Sequence, residues 1–339
     1  MVYQYEIINL PKIKSDFTGV ERKYNAVIQS SYITDNYIFY IRCVGEVAYL
    51  SRCSLPDKGK TIDANNAQVM TLKGFGHTQT LEYYKYKNEY YVLLGCKGVA
   101  DEIDTNLIAN KKVGTYWATQ IARIKFKANT VVNYTNCTRL TGLNYAGNKG
   151  SIGKVRRVEA ALSTDHNYLL LWVRTYETDV KNNKRKYYKT RFSVYNANKI
   201  NEEMSKVKEG TGISCNDKCI KDNICSGNVF EYSYDNNNGN DDLRYGSNQG
   251  LEINNSKEIF VSSEMMKDYV SQGTYIYRLN GKGENIKKYT FKESNIGKDS
   301  RCEIEGLQIR NGMMYFAAKN YDEEKNKHFI YKIDISIIG

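Results

Sequence analysis

The stretch GHTQTLEYYKY at 76–86 contains a polar residue, a small residue and an apolar residue in succession, Gln79-Thr80-Leu81. The same order recurs along the chain, each time as an amide or carboxylate followed by a small side chain. The five copies are Asn25-Ala26-Val27, Gln79-Thr80-Leu81, Glu159-Ala160-Ala161, Gln249-Gly250-Leu251 and Glu305-Gly306-Leu307. A short unit repeated at intervals of one small sheet is typical of a β-propeller or a similar array.

Each copy is followed by a dense apolar or aromatic run, and most of these runs are followed by a third, alternating segment. The runs are YIFYI from Tyr37, YYVLL from Tyr90, YLLLW from Tyr168, IFVSS from Ile259 and MYFAA from Met314. Such runs predict buried strands. We therefore predict an all-β fold, a five-bladed β-propeller that forms one domain over residues 1–339. The isolated strand at about 3–10 is predicted to close the ring by joining the C-terminal blade, which removes exposed sheet edges.

The segment 201–228 is predicted to be an insertion within the propeller, at the outer edge of the third blade. It is charged and carries three cysteines, Cys215, Cys219 and Cys225. Their spacing is not that of a zinc ribbon and no histidine lies nearby, so the thiols are either free or joined in a local disulfide. Within this segment, Asn201–Lys208 is expected to form a short helix with Asn201 as its cap.

Composition limits the partners of the protein. The formal net charge is +11, which favours an acidic partner such as an anionic polymer, lipid headgroups or nucleic acid. No nucleic-acid-binding motif accompanies the charge, so nucleic acid is not predicted. The chain has 30 tyrosines, most of which we expect on sheet faces and some on a surface that stacks against sugars or a partner.

The sequence contains no apolar run long enough to span a membrane as a helix. Its start, MVYQYEIINLPKIK, lacks the pattern of a secretory signal peptide. We therefore expect a protein that is made in the cytoplasm and is secreted or released without a standard signal.

Side-chain alternation along the inner strands predicts a polar mouth at the propeller axis. In a propeller the first strand of each blade lies nearest the axis, and residues two apart share a face. The candidate ligand-binding residues of this axial ring are Asn25, His77, Gln79, Arg157, Glu159, Gln249, Glu303 and Glu305. The alternative is that these side chains only join neighbouring strands by hydrogen bonds, as buried polar groups require.

The ring offers little for catalysis. Glu159 and Glu305 are the candidate pair for a glycosidase, but the other motif positions are amides, and we assign no catalytic residue. His166 and His328 are expected at the surface. We predict no metal site and no cofactor, with one alternative, calcium at Asp235–Asp242 (DNNNGNDD), where the register fails to match an EF-hand loop.

Several segments together, and in this order, resemble the helveticin J family of large, heat-labile bacteriocins. They are GHTQTLE (76–82), WATQIARI (117–124), RLTGLNYAGNK (139–149), VEAALS (158–163), FSVYNANKINEEM (192–204), SNQGLEI (247–253) and EIEGLQI (303–309). The family has histidine where this chain has Arg157 and Asp299, so of these positions only His77 keeps the imidazole. The resemblance therefore does not imply a metal-dependent mechanism here.

The resemblance implies an antibacterial protein without an established enzymatic activity. Our leading hypothesis is a bacteriocin-like protein that binds a component of a target bacterial cell envelope, a glycan or an anionic polymer. The first alternative is a carbohydrate-binding or adhesive module of a toxin or surface protein. The second is a glycan-cleaving enzyme that uses Glu159 and Glu305.

Overall fold

The computed structural model describes residues 3–11, 13, 27–100, 116–179, 184–234, 247–267, 270–291, 302–320 and 328–338. Most of these residues lie in β-strands. The strands are, in chain order, β1 (Tyr3–Ile8), β2 (Ile28–Ile33), β3 (Tyr37–Val44), β4 (Val47–Ser54), β5 (Thr61–Asp63), β6 (Gln68–Lys73), β7 (Leu81–Tyr86), β8 (Glu89–Ala100), β9 (Tyr116–Ile124), β10 (Thr130–Asn133), β11 (Thr138–Thr141), β12 (Lys154–Leu162), β13 (Tyr168–Asp179), β14 (Lys184–Asn196), β15 (Gly212–Ser214), β16 (Ile224–Tyr234), β17 (Ser247–Ile253), β18 (Ile259–Lys267), β19 (Val270–Leu279), β20 (Asn285–Phe291), β21 (Cys302–Arg310), β22 (Met313–Asn320) and β23 (His328–Asp334). The helices of this described part are α1 (Ala197–Lys206) and α2 (Lys218–Lys221).

Five sheets form the blades of a propeller, and each blade is an antiparallel meander of four main strands. From the inner to the outer strand, the blades are β2-β3-β4-β6, β7-β8-β9-β11, β12-β13-β14-β16, β17-β18-β19-β20 and β21-β22-β23-β1. The five-bladed, all-β prediction is confirmed. The inner strand of every blade contains or overlaps a copy of the repeated motif or lies directly after one. The number of copies therefore equals the number of blades.

The second strands show why the apolar runs predicted so well. Ile38, Phe39, Tyr40 and Ile41 are consecutive residues of β3, and all are fully buried. Successive side chains of a strand point to opposite faces, so a continuous buried run requires packing on both faces. In a propeller both faces of a blade are covered by its neighbours, which supplies that packing.

Apolar clusters between neighbouring blades make up the core. Phe39 and Leu50 of the first blade meet Leu81 and Leu94 of the second, and equivalent clusters join the other pairs of blades around the ring. Each fully buried side chain of this size contributes about 1.5–3 kcal/mol of transfer free energy. Neighbouring blades are therefore held together mainly by burial of their facing side chains.

The N-terminal strand closes the ring, as predicted. β1 pairs antiparallel with β23 of the last blade, with Tyr3 opposite Tyr331 and Ile7 opposite His328. Ile7 is fully buried in the cluster between the fifth and first blades. The first strand thus completes the blade formed by the last part of the chain.

Three short strands lie outside the four-strand pattern, and the sequence did not reveal them. Each comes from the connection between the third and fourth strands of one blade and pairs, in parallel, with the outer strand of the preceding blade. These pairs are β5 with β1, β10 with β6 and β15 with β11. Each strand covers a sheet edge that would otherwise expose unpaired backbone groups, and it ties two blades together.

The segment 201–228 contributes to this bridging. It contains part of α1, the strand β15 that joins the edge of the second blade, and the short helix α2. Ile220 of α2 is fully buried in the cluster between the second and third blades. Cys215, Cys219 and Cys225 are free thiols in the structure, and Cys215 is fully buried.

The predicted start of the helix at Asn201 is wrong. The helix begins at Ala197, and its cap is Asn196, whose side chain accepts a hydrogen bond from the Lys199 N–H. Asn201 lies inside the helix and is buried, where its Oδ1 accepts a hydrogen bond of 2.6 Å from the Tyr84 hydroxyl. Both asparagines are followed by residues that suit a helix, so either could be its cap. The buried contact of Asn201 with Tyr84 favours a place for Asn201 inside the helix, and Asn196 is therefore the cap.

We expect ring closure by β1 to be essential for stability. Deleting residues 1–10 should lower the free energy of unfolding by more than Ile7→Ala does, and Ile7→Ala alone should cost about 2–5 kcal/mol through the cavity that it leaves. Gln4→Ala, at a half-buried position of the same strand, is the control and should cost far less. Urea unfolding of the purified variants measures these losses. An unchanged melting temperature after the deletion would contradict closure by this strand.

Candidate functional site

The inner strands bring four of the predicted polar residues together in a buried cluster at the axis. Gln79, Glu159, Gln249 and Glu305 come from four different blades, and each is between 3% and 6% exposed. Arg157, two residues before Glu159 on β12, is 4% exposed and joins them. We call these five residues the axial cluster.

Gln79 is the hub of the axial cluster. Its Nε2 donates to Glu305 Oε2 at 2.7 Å and also to Gln249 Oε1. Its Oε1 accepts a hydrogen bond from the Arg157 guanidinium. One amide side chain therefore links the second blade to the third, fourth and fifth.

Glu159 accepts hydrogen bonds on both carboxylate oxygens. Arg157 Nε donates to Oε1 at 3.0 Å, which makes a buried ion pair within one strand. The Thr80 hydroxyl and the Gln79 backbone N–H donate to Oε2 at 2.7 and 3.1 Å, and the Thr78 hydroxyl lies 3.4 Å away. A buried carboxylate requires this degree of pairing, and here the protein supplies it.

Aromatic rings cover the side of the cluster at which the inner strands begin. The Arg157 guanidinium lies over the Trp117 ring, 3.8 Å from its centre, and is 5.3 Å from the centre of the Trp172 ring. His77 also contacts Trp117, with ring centres 4.4 Å apart. Burial, together with the charge of Arg157, lowers the pKa of His77 to about 3, so this imidazole is neutral near pH 7.

The residue after each polar side chain is small because neighbouring inner strands nearly touch. A Cβ on Gly250 would lie 2.9 Å from the carbonyl carbon of Gly306, and one on Gly306 would lie 2.9 Å from the Cα of Ser30. Gly306 also has a φ of +70°, which disfavours any side chain. The small residues therefore allow the inner strands to pack closely at the axis.

In the first blade, Gln29 and Ser30 occupy the position that the sequence analysis gave to Asn25 and Ala26. Ser30 contacts Gly306, and Gln29 is 7% exposed beside it on β2. Asn25 lies outside the described residues. The sequence contains two pairs of a polar and a small residue four residues apart, Asn25-Ala26 and Gln29-Ser30. Only the register of the strand shows that the second pair is the one at the axis.

The other predicted residues are placed as follows. Glu303 lies on β21 with Glu305, and its side chain falls outside the described part of the structure, as does the whole of Asp235–Asp242. His166 is half-buried in a turn, whereas His328, expected at the surface, is 5% exposed where β23 joins β1. His328 is buried because the closing strand covers it. Among the described residues, no group of three or more potential ligands is placed to hold a metal ion.

A second set of buried polar groups, which the sequence analysis missed, lies three residues after the motif positions. Glu252 accepts a hydrogen bond of 3.0 Å from the Ile309 N–H of the next blade, and Gln308 bonds both backbone groups of Ile33 at 2.8 and 3.0 Å. Glu82 likewise accepts from the backbone of Leu162. These side chains join the second blade to the third, the fourth to the fifth and the fifth to the first, and the recurrence of Glu or Gln at this offset in three blades was a usable signal.

We expect the Arg157–Glu159 ion pair to be structural. Glu159→Gln leaves a buried guanidinium without its carboxylate, which should cost about 3–5 kcal/mol of unfolding free energy. Adding Arg157→Met should recover part of this loss, so the double variant falls short of the sum of the single ones. Glu258→Gln, which breaks a half-buried pair with Arg278, is the control and should cost about 1 kcal/mol. Strict additivity in urea unfolding would contradict the coupling.

We expect the free energy of unfolding to depend on pH because of the buried carboxyls of Glu82 and Glu252. Burial raises the pKa of Glu252 to about 8 and that of Glu82 well above its ordinary value, and the charge of Glu252 adds to the rise at Glu82. The folded protein therefore retains protons that the unfolded chain, with glutamate pKa values near about 4.3, has lost. The stability that these protonated carboxyls contribute is therefore fully present below the unfolded-chain pKa of about 4.3, and it is lost as the pH rises towards 8.

Glu82→Gln removes one of the two titrating groups and keeps an oxygen for the Leu162 N–H. We expect its free energy of unfolding to fall less steeply between pH 5 and pH 8 than that of the wild type, with a gain of about 1–3 kcal/mol at pH 8. Urea unfolding at several pH values measures this, and Glu89→Gln, at an exposed site, is the control. Identical slopes for wild type and Glu82→Gln would show that the pair does not titrate as argued.

Comparison with solved structures finds proteins of low sequence identity. The chain is similar to an exo-β-1,3-galactanase from Phanerochaete chrysosporium, at 9% identity and a TM-score of 0.45, over 98% of this chain and 65% of that one. It is also similar to an α-L-arabinofuranosidase from Lactobacillus brevis, at 10% identity and a TM-score of 0.41, over 90% of this chain and 91% of that one. The chain thus spans about 65% of the length of the galactanase. These similarities concern the fold alone.

Comparison with families is more specific. No curated protein sequence matches the chain. Residues 8–336, however, match the family described as bacteriocin helveticin-J. The match runs from the closing strand β1 to the end of the last blade, so it includes every blade and the axial cluster. The chain belongs to the bacteriocin helveticin-J family.

Proposed function

We propose that this protein is an antibacterial, bacteriocin-type protein that acts by binding a component of the target cell envelope and not by catalysis. The observation that carries the proposal is the family match over residues 8–336, which covers the propeller apart from most of β1. The protein would meet its target outside the producing cell, after secretion or release. The propeller would serve as the binding body.

The geometry of the axial cluster argues against hydrolysis. A glycosidase needs one carboxyl that donates a proton and a second that acts as nucleophile or base, both facing the bond that is cleaved. Glu159 is 4% exposed and both of its oxygens accept hydrogen bonds from the protein. Glu305 is 3% exposed and accepts from Gln79. These contacts commit the two carboxylates to the packing of the inner strands.

The charge of the protein suits an envelope target. The net charge of +11 would draw the protein towards anionic wall polymers or an anionic glycan and raise the rate of encounter. No helix among the described residues is long and apolar enough to cross a membrane. On the charge and the family match we propose a partner at the envelope surface, and not nucleic acid.

Two alternatives give different results in the same assays. A carbohydrate-binding or adhesive module would bind envelope glycans without killing. A glycan-cleaving enzyme would release reducing sugar from cell walls, and its activity would depend on Glu159 and Glu305.

We expect the purified protein to kill some Gram-positive strains in a panel and to release no reducing sugar from their isolated walls. Glu305→Gln, which keeps an acceptor for Gln79, should kill as well as the wild type if it retains the wild-type melting temperature. An enzyme would instead lose about a hundredfold or more of its activity with this change, because general acid–base catalysis contributes that much. Sugar release that Glu305→Gln abolishes would therefore overturn the proposal, and envelope binding without killing of any strain would favour the adhesive module.

A further inference from the structure

The end of the propeller opposite the axial mouth carries a column of aromatic rings between the first and second blades. Phe39 stacks on Tyr83 with ring centres 4.5 Å apart, and Tyr83 stacks on Tyr90 at 5.3 Å with an interplanar angle of 5°. Phe39 is fully buried, whereas Tyr90 is 52% exposed. The column thus begins in the core and ends in a flat ring that faces solvent.

Cations lie against both ends of this column, with the Arg52 guanidinium 6.0 Å from the centre of the buried Phe39 ring and Lys85 beside Tyr90. The guanidinium of Arg52 lies 4.7 Å from the centre of the Tyr37 ring and 4.9 Å from that of Phe126, and Arg52 Nε donates to Gln68 at 2.9 Å. These contacts hold the guanidinium in one place. The ammonium of Lys85 lies 5.9 Å from the centre of the Tyr90 ring. We call Tyr37, Arg52, Tyr83, Lys85 and Tyr90 the tyrosine platform.

The positions of these residues in the strands explain why the platform forms at this end. Lys85 and Tyr90 face each other across the β7–β8 hairpin, and Phe39 faces Arg52 across β3 and β4. The hairpin turns between first and second strands lie at the opposite end of the blades from His77 and Arg157. The platform is therefore a site separate from the axial cluster.

Part of the cationic character of the platform is available to a ligand. Within the described part of the chain, Arg52 Nη1 makes no hydrogen bond and Lys85 makes no ion pair. Tyr37 is 37% exposed beside the guanidinium. An incoming acidic glycan could thus reach these cations without breaking a contact that the fold uses.

We propose that the tyrosine platform binds an acidic glycan, a sugar polymer that carries phosphate or carboxylate groups. The C–H face of a pyranose ring is apolar and carries slight positive charge, so it packs on the negative face of an aromatic ring while its hydroxyls remain in water. Tyr90 presents one such face, and its stack on Tyr83 fixes the ring before the sugar arrives, which lowers the entropic cost of binding. Arg52 and Lys85 would hold the acidic substituent. The proposal rests on the proposed function only for the source of the glycan, which would be the target envelope.

The direct test measures binding by the full-length protein, by isothermal titration calorimetry, to defined polymers. Phosphomannan supplies phosphate, polygalacturonate supplies carboxylate, dextran is the neutral glycan and oligo(dT) is the nucleic-acid probe. We expect at least one of the two acidic glycans to bind more tightly than dextran, with an affinity that falls as salt is raised.

Variants locate the binding site. Tyr90→Ala should weaken binding of the acidic glycan about tenfold, and Tyr90→Phe, which keeps the ring, should restore it. Arg52→Met should weaken binding of the acidic glycan and leave dextran unchanged. The matched control is Tyr168→Ala, at the half-buried start of the second strand of the third blade, where Lys257 Nζ lies 4.8 Å from the ring centre. Melting temperatures confirm that each variant is folded.

Several results would overturn the proposal. They are no binding of either acidic polymer by the wild type, an equal loss with Tyr90→Ala and Tyr168→Ala, or tighter binding of oligo(dT) than of both acidic glycans. Killing assays with the same variants separate this inference from the proposed function. If a Tyr90→Ala protein no longer binds glycan but kills normally, the platform has no part in killing. If the wild type binds glycan through Tyr90 but kills no strain, only the antibacterial proposal is overturned.

Discussion

The close approach of five inner strands at one axis is the constraint on which the rest of this structure depends. The strands can approach because the residue at the point of contact is small, as with Ser30, Gly250 and Gly306. The approach also buries polar groups, which must find partners inside the protein. Gln79 and the Arg157–Glu159 pair supply those partners for the axial cluster, and Glu82, Glu252 and Gln308 supply them between successive blades. Crowding and polar pairing are therefore two consequences of the same geometry.

At the outer rim, a blade that ends in an unpaired strand would expose backbone hydrogen-bonding groups. Here β5, β10 and β15 each cross from one blade to the outer edge of the preceding one. The closing strand β1 receives β5 on its outer side, so the joint between the two ends of the chain is covered as well. Blades are thus held at the axis by polar contacts, between their faces by apolar packing, and at the rim by strand pairing.

Repetition made most of the fold predictable from the sequence, and the same repetition hid several details. Five copies of a motif, each followed by a buried strand, fix the number of blades, and an unpartnered strand at Tyr3–Ile8 implies closure. The copy in the first blade could not be placed, because Asn25-Ala26 and Gln29-Ser30 both fit the pattern and only the contact of Ser30 with Gly306 separates them. Short strands such as β5 carry too few residues to show a period.

Much of the axial cluster was predictable as a set of residues, but its bonding was not. Alternation along the strands placed Gln79, Glu159, Gln249 and Glu305 at one level, whereas the role of Gln79 as the hub depends on which side chains reach it. Glu82 and Glu252 were missed because polar residues that alternate with apolar ones in a strand usually face solvent. In a propeller both faces of an inner strand are covered, so that rule fails where the blades are closest.

The packing between neighbouring blades also accounts for the tyrosine platform at the end of the propeller opposite the axial cluster. Between the first two blades the facing rings of Phe39 and Tyr83 pack on each other, and the stack continues to Tyr90 at the start of β8, next to the β7–β8 turn. The Tyr90 ring stacks on Tyr83 and is 52% exposed, and its exposure follows from its place near the end of the blade. Because the axial polar groups are committed to the protein's own strands, we propose binding at the joint between the first two blades, where the aromatic stack reaches the surface.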